Sequence, residues 1–127
     1  MKLDCEALLM LMRAIEELRA LSEEGAVIIV EGRRDIEALR RLGVKGKIVA
    51  SANRSNADIA DAIGMVGKEV VILTDWDRRG EALKDDLVVK LSSWGITPNL
   101  EIRRRIFSIV GRIVTEVEDL ADFIEQL

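Results

Sequence analysis

Three short β-branched runs constrain this chain more than any other feature. Residues 26–30 read Ala-Val-Ile-Ile-Val, residues 47–50 Lys-Ile-Val-Ala, and residues 69–73 Glu-Val-Val-Ile-Leu. None alternates polar with apolar positions, so neither face of such a strand is built for water. That pattern suits strands covered on both sides in a parallel sheet. Between the runs, residues 34–42, 56–63 and 81–94 carry apolar residues at spacings of three and four, the signature of helices. Strand and helix therefore alternate, and short connections with right-handed crossovers make a parallel α/β sheet the economical topology. A shorter fourth strand is expected at residues 99–102, giving a four-stranded, mainly parallel sheet with helices on both faces.

Ahead of the first strand, Leu8, Leu11, Met12, Ile15, Leu18 and Leu21 recur at helical spacing. They predict an amphipathic helix capped by Asp4, with its apolar stripe laid over the sheet. In the tail, a helix is expected over 103–114 and a second over 118–126, where Leu120, Phe123, Ile124 and Leu127 fall on one side. The expected organisation is one domain over 1–127, comprising an N-terminal helix (1–24), a core (26–102) and a helical C-terminal part (103–127). A length of 127 residues with 49% hydrophobic content suffices for one such core.

Composition removes whole classes of chemistry. The chain has no His and no Tyr, which excludes an imidazole base, a Ser-His-Asp arrangement, a histidine metal ligand and a tyrosine nucleophile. Carboxylates, Arg, Lys, Ser/Thr and Cys5 remain. A single Cys can form neither an internal disulfide nor a zinc site, which points to a reducing, cytoplasmic compartment. No apolar run approaches the ~20 residues of a spanning helix, so no membrane partner is expected. A net charge of −4 argues against a uniformly basic polyanion binder but leaves room for a local basic edge.

In open parallel sheets, ligands bind beyond the carboxyl ends of the strands. The first run ends in Glu31-Gly32-Arg33-Arg34-Asp35, the second leads to Ser51-Ala52-Asn53-Arg54, and the third ends in Thr74-Asp75-Trp76-Asp77-Arg78-Arg79-Gly80. Asp75 and Asp77 can turn toward one point, and Glu31 reaches it if the first and third strands are neighbours; hard oxygen ligands so placed suit Mg²⁺, with Mn²⁺ as an alternative. An Asp-x-Asp pair is also a common helix cap, but a glutamate closing an apolar strand is an odd structural choice. Arg33, Arg34, Arg54, Arg78 and Arg79 add guanidinium forks that can hold phosphate oxygens, or simply salt-bridge the acids. Arg103-Arg104-Arg105 reads alone as a solvated helix face.

The pairing of Val30-Glu31-Gly32-Arg33-Arg34-Asp35 with Thr74-Asp75-Trp76-Asp77-Arg78-Arg79-Gly80, 44 residues from Glu31 to Asp75, resembles the Toprim domain. That domain is shared by bacterial-type primases, type IA and type II topoisomerases, the ribonuclease that matures 5S ribosomal RNA, and small stand-alone proteins of archaea and some bacteria. The size is most similar to the stand-alone group. The resemblance implies a three-layer α/β fold, Glu31 as general acid or base, and Asp75 and Asp77 as metal ligands. It implies supporting places for Asp35, Gly32 and Gly80. It also offers Glu116, Glu118 and Asp119 for the later acidic positions of primase-like members, which a helix cap explains equally well. The absence of Tyr excludes a self-sufficient topoisomerase, and the zinc module of bacterial primases has no ligands here.

Two readings of function follow. One is a Mg²⁺-dependent nuclease acting on RNA or single-stranded DNA, with Glu31, Asp75 and Asp77 at the reacting phosphate and the five arginines on the backbone. The other is a non-catalytic module that holds Mg²⁺ and nucleic acid with a partner, favoured by the 3% aromatic content, since base stacking needs aromatic rings. A flavodoxin-like phosphoacceptor fits less well, because only Glu31 follows the first strand. A homodimer or a larger processing complex is the assembly expected.

Overall fold

The computed structural model describes residues 3–127. Asp4 opens the first helix, accepting a hydrogen bond from the Ala7 amide at 2.7 Å, and α1 runs Cys5–Glu23. Then follow β1 (Val27–Val30), α2 (Arg33–Arg41), β2 (Ile48–Ala50), a 3-10 turn (Ser51–Asn53), α3 (Asn56–Val66), β3 (Val70–Ile72), α4 (Arg78–Ser92), α5 (Glu101–Val110) and α6 (Val117–Glu125). The three strands form one parallel sheet in the order β2-β1-β3, with Ile29 opposite both Val49 and Ile72.

β1 sits in the centre, and all four of its residues are buried. Because side chains alternate across a strand, Ile28 and Val30 enter a core with Leu11, Ile15 and Leu18 of α1, Leu39 of α2, Ile102 and Ile106 of α5, and Leu120 of α6. Val27 and Ile29 enter the opposite core with Ile59 and Ile63 of α3 and Leu87 and Leu91 of α4. The unbroken β-branched pattern is thus a consequence of two covered faces. Burying each of these side chains contributes roughly 2 kcal/mol.

The expected fourth strand is not formed; the sheet has three. Its place beside β3 is marked by a single parallel bridge, Val71 to Asn99, in which the Asn99 amide donates to Val70 O at 2.8 Å and Asn99 O accepts from Ile72 N at 3.1 Å. The strand stops there because the Asn99 side chain turns to the next element. Its Oδ1 accepts from Glu101 N at 3.0 Å and Ile102 N at 3.3 Å, capping α5. A residue that caps a helix commits the chain to leave the extended conformation.

Asn99→Ala should therefore lose about 1 kcal/mol and lower the melting temperature by about 4 °C, whereas Asn99→Asp should retain most of the stability. Equal melting of the Ala and Asp variants would show that the cap is not what ends the sheet.

Candidate active site

Glu31 and Asp75 follow neighbouring strands whose register sets them at the same edge. The Glu31 side chain is only 13% exposed. Its carbonyl accepts from Ala52 N at 2.9 Å, and its Oε2 accepts from Asp75 N at 2.7 Å. One residue of the central strand thus ties together the chain leaving β2 and the chain leaving β3. Next to it, Asp35 is 5% exposed and accepts from Gly32 N at 2.9 Å, closing the first turn of α2.

The segment from Thr74 to Gly80 is held from several sides. Thr74 Oγ1 donates to Gly80 O at 2.8 Å, and Asp77 Oδ1 accepts from Gly80 N at 2.7 Å as the cap of α4. A Cβ on Gly80 would lie 1.7 Å from Asp75 O, so this position needs glycine to close the loop. Arg103, 4% exposed, reaches in from α5: Nε donates to Thr74 O at 2.8 Å, and its two terminal nitrogens donate to Asp75 O and to Glu81 Oε1, both at 2.6 Å. The amide of Val117, at the start of α6, donates to Asp75 Oδ1 at 2.7 Å.

The electrostatics follow from these placements. Burial, and then the charges of Glu31 and Asp35, push the Asp75 carboxyl up to about 8, against the opposing Val117 amide. Asp35 is raised by burial, with Glu31 and Glu118 adding to it. Glu116 is raised by burial and by Asp119, Glu118, Asp77 and Asp35. The cations nearby do not pair with the Asp75 carboxylate: Arg103 is engaged by the Thr74 and Asp75 carbonyls and by Glu81, Arg34 meets Glu118, and Arg79 Nε, 4.0 Å from Glu31 Oε1, is 80% exposed, which makes that pair weak.

A donor set of hard carboxylate oxygens with uncompensated charge fits a divalent cation of the Mg²⁺ kind. Asp75, Glu31 and Asp77 are the side chains that would hold it. Among the described residues, no three acidic side chains already stand together at metal-ligand spacing, because Asp77 is turned aside to cap α4. Asp75 and Asp77 thus do not point to one place as the spacing suggested.

The expected arginines divide. Arg33 pairs with Glu37 at 3.6 Å and Arg34 with Glu118 at 3.5 Å, both at the start of α2. Arg78 and Arg79 open α4 and are exposed. Arg54 lines a separate cavity beside β2. Trp76, between the two aspartates in sequence, is no stacking platform: it is 6% exposed, donates to Val114 O, and packs at 6.3 Å from the Phe107 ring. Arg103 was misread as a solvated residue. Its spacing of three to Ile106 and seven to Val110, both buried, places it on the apolar stripe of α5, a signal that was legible.

Asp75→Asn keeps an oxygen for the Val117 amide but removes the charge. Folded Asp75 keeps its proton up to about pH 8, whereas an unfolded Asp releases it near pH 4. The folded state therefore binds the extra proton between these values, and this group's contribution to stability falls as pH rises through that window. In EDTA, Asp75→Asn should melt above the wild type, by a margin that grows from pH 5 to pH 8 and that Mg²⁺ closes. A margin independent of pH would contradict this. Arg103→Met should destabilise by about 3 kcal/mol in chemical denaturation, since it leaves the buried Thr74 carbonyl and the part-buried Asp75 carbonyl without their donor while Glu81 keeps Lys84; a loss below about 1 kcal/mol would show that the fork is not needed.

Comparison with known proteins agrees with this geometry. Residues 26–110 match the Toprim domain. The chain is 41% identical over 113 residues to a UPF0292 protein of Methanosarcina barkeri, covering 89% of this chain and 79% of that one. It is 40% identical over 114 residues to a UPF0292 protein of Archaeoglobus fulgidus, covering 90% and 89%. A solved structure, a putative protein from Aquifex aeolicus, superposes with a TM-score of 0.72 at 26% identity, over 85% of this chain and 95% of that one. With Glu31 and the Thr74 to Gly80 segment at one sheet edge, and that domain spanning both, the chain belongs to the Toprim family, as a small protein of the archaeal stand-alone kind.

Proposed function

We propose that this protein is a Mg²⁺-dependent phosphodiesterase acting on RNA or single-stranded DNA. Membership in the Toprim family ties it to metal-dependent chemistry associated with nucleic acids, in a family that typically binds Mg²⁺. The observation that supports a cation at the reacting phosphate is the Glu31 carboxylate bound to the Asp75 amide at 2.7 Å, with Asp35 at the same edge: burial first, and then neighbouring acids, raise Asp75 and Asp35. Such an arrangement costs stability unless a cation is bound.

A bound Mg²⁺ supplies the charge that polarises the scissile phosphate and offsets negative charge building there. The protein's residues do the rest. Asp75 would hold the cation, joined by Asp77 only if that side chain leaves its cap on α4; the Val117 amide and the Arg103 fork fix the Asp75 backbone and carboxylate, and Asp35 braces the turn after β1. Glu31 serves as the general base that takes a proton from attacking water and then returns one to the leaving oxygen. Arg33, Arg34, Arg78 and Arg79 lie exposed on the rim, where their forks meet the nucleic-acid backbone. Mn²⁺ can replace Mg²⁺ on the same oxygen ligands.

The burial of Trp76 favours a second reading. Without an exposed ring beside the carboxylates, the protein would hold Mg²⁺ and nucleic acid for a partner and not cut. Labelled RNA and DNA panels with Mg²⁺ or Mn²⁺ separate the two. The nuclease reading expects cleavage that EDTA abolishes and that Glu31→Gln and Asp75→Asn each reduce at least a hundredfold. Salt-dependent binding without turnover would support the second reading, and full activity in either variant would overturn the first.

A further inference from the structure

A cavity of about 430 Å³ lies away from the carboxylates, between α3 and the edge strand β2. Its floor is aliphatic, formed by Val27 and Val49 of the sheet and Ile59 and Ile63 of α3. Lys47 immediately precedes β2, where its carbonyl accepts from Ile28 N at 3.0 Å, and it lines the cavity together with Val49. Lys47, Arg54 and Lys68 are its charged lining, and no Asp or Glu contributes. The Lys68 ammonium folds over Gly25 at the mouth, 3.7 Å from where a Cβ would stand. Among the described residues none of these three cations forms an ion pair, so each keeps its charge for a ligand.

In a chain of net charge −4, this hollow is lined by three cations and by no acid. Lys47, Arg54 and Lys68 are exposed, so they repel one another weakly; what they supply is a local positive potential beside an apolar floor, which attracts an anion. The volume falls in the range of small-molecule sites, about 300–1,000 Å³, and an apolar floor with a few charged groups at the rim is their usual make-up. We infer that this cavity is a second binding site, for a small molecule with an apolar body and an anionic group, such as a phosphate or carboxylate. The body lies on Val49, Ile59 and Ile63, and the anion is held by Lys47, Lys68 and Arg54. None of the acidic residues of the candidate active site lines it, so this inference stands independently of the nuclease reading.

The test uses anilinonaphthalene sulfonate, an apolar fluorophore with one anionic group, titrated into the folded protein. One saturable equivalent should bind, with chemical-shift changes at the Val49 and Ile63 amides. Lys47→Glu and Lys68→Glu should each weaken binding at least tenfold, Ala62→Trp should block it by filling the cavity, and Arg112→Glu should leave it unchanged. Melting curves confirm that each variant is folded; if Lys68→Glu is not, Lys68→Gln should still weaken binding severalfold. Competition identifies the body: displacement by adenosine monophosphate marks a nucleotide, displacement by decyl phosphate an acyl chain. No saturable binding, unchanged binding in both charge variants, equal affinity for phenylnaphthylamine, which lacks the sulfonate, or displacement by neither competitor would each overturn the inference.

Discussion

The hydrogen bond from the Asp75 amide to the Glu31 carboxylate, 2.7 Å long, is the contact on which the functional edge of this protein depends. It is made possible by register: β1 and β3 are parallel neighbours, so the residues that follow them leave the sheet side by side. It also has a cost, because it fixes a carboxylate beside the side chain of a second acid and near a third, Asp35. The rest of the edge acts to sustain that arrangement. Arg103 holds the Thr74 and Asp75 carbonyls from below, Gly80 lets α4 approach Asp75 without a side chain between them, and the first amide of α6 meets the Asp75 carboxylate. Electrostatic strain of this kind, retained in a fold whose cores are almost wholly aliphatic, is a physical ground for the proposed cation site.

Much of this was legible in the sequence, and the reasons are physical. Unbroken β-branched runs report coverage on both faces, and β1 delivers alternate residues to two cores as that requires. The apolar stripe of α1 lies in one of those cores, with Leu11, Ile15 and Leu18 fully buried. The carboxyl-end rule placed Glu31, Asp35 and Asp75 at one edge because connections in a parallel sheet all return to the same side. What failed to show was anything decided by a single side chain choosing between two partners. Asn99 could extend a ladder or cap a helix; it does one bridge of the first and then the second. Asp77 could face the edge or cap α4, and the α4 amide holds it. Arg103 sat in a run of three arginines whose composition suggested solvent, although its helical spacing placed it with Ile106 and Val110.

Charge proved to be sorted more finely than a net value of −4 conveys. Acids from β1, α2, the β3 loop and α6 gather at the sheet edge, whereas the expected ring of five arginines breaks up. Arg33 and Arg34 pair with glutamates, Arg78 and Arg79 stay exposed at the head of α4, and Arg54 joins Lys47 and Lys68 at a hollow beside β2. The molecule therefore separates an acidic sheet edge from a cavity whose charged lining is basic. Among the described residues no helix is long and apolar enough to cross a membrane.

The central claim is that the acids at the sheet edge form a cation site. Crystals soaked in Mn²⁺ and measured at its absorption edge test it most directly. The account predicts an anomalous peak about 2.1 Å from carboxylate oxygens of Asp75 and of Glu31 or Asp77, absent in Asp75→Asn crystals treated alike. No peak at that edge, or one that persists in Asp75→Asn, would contradict it.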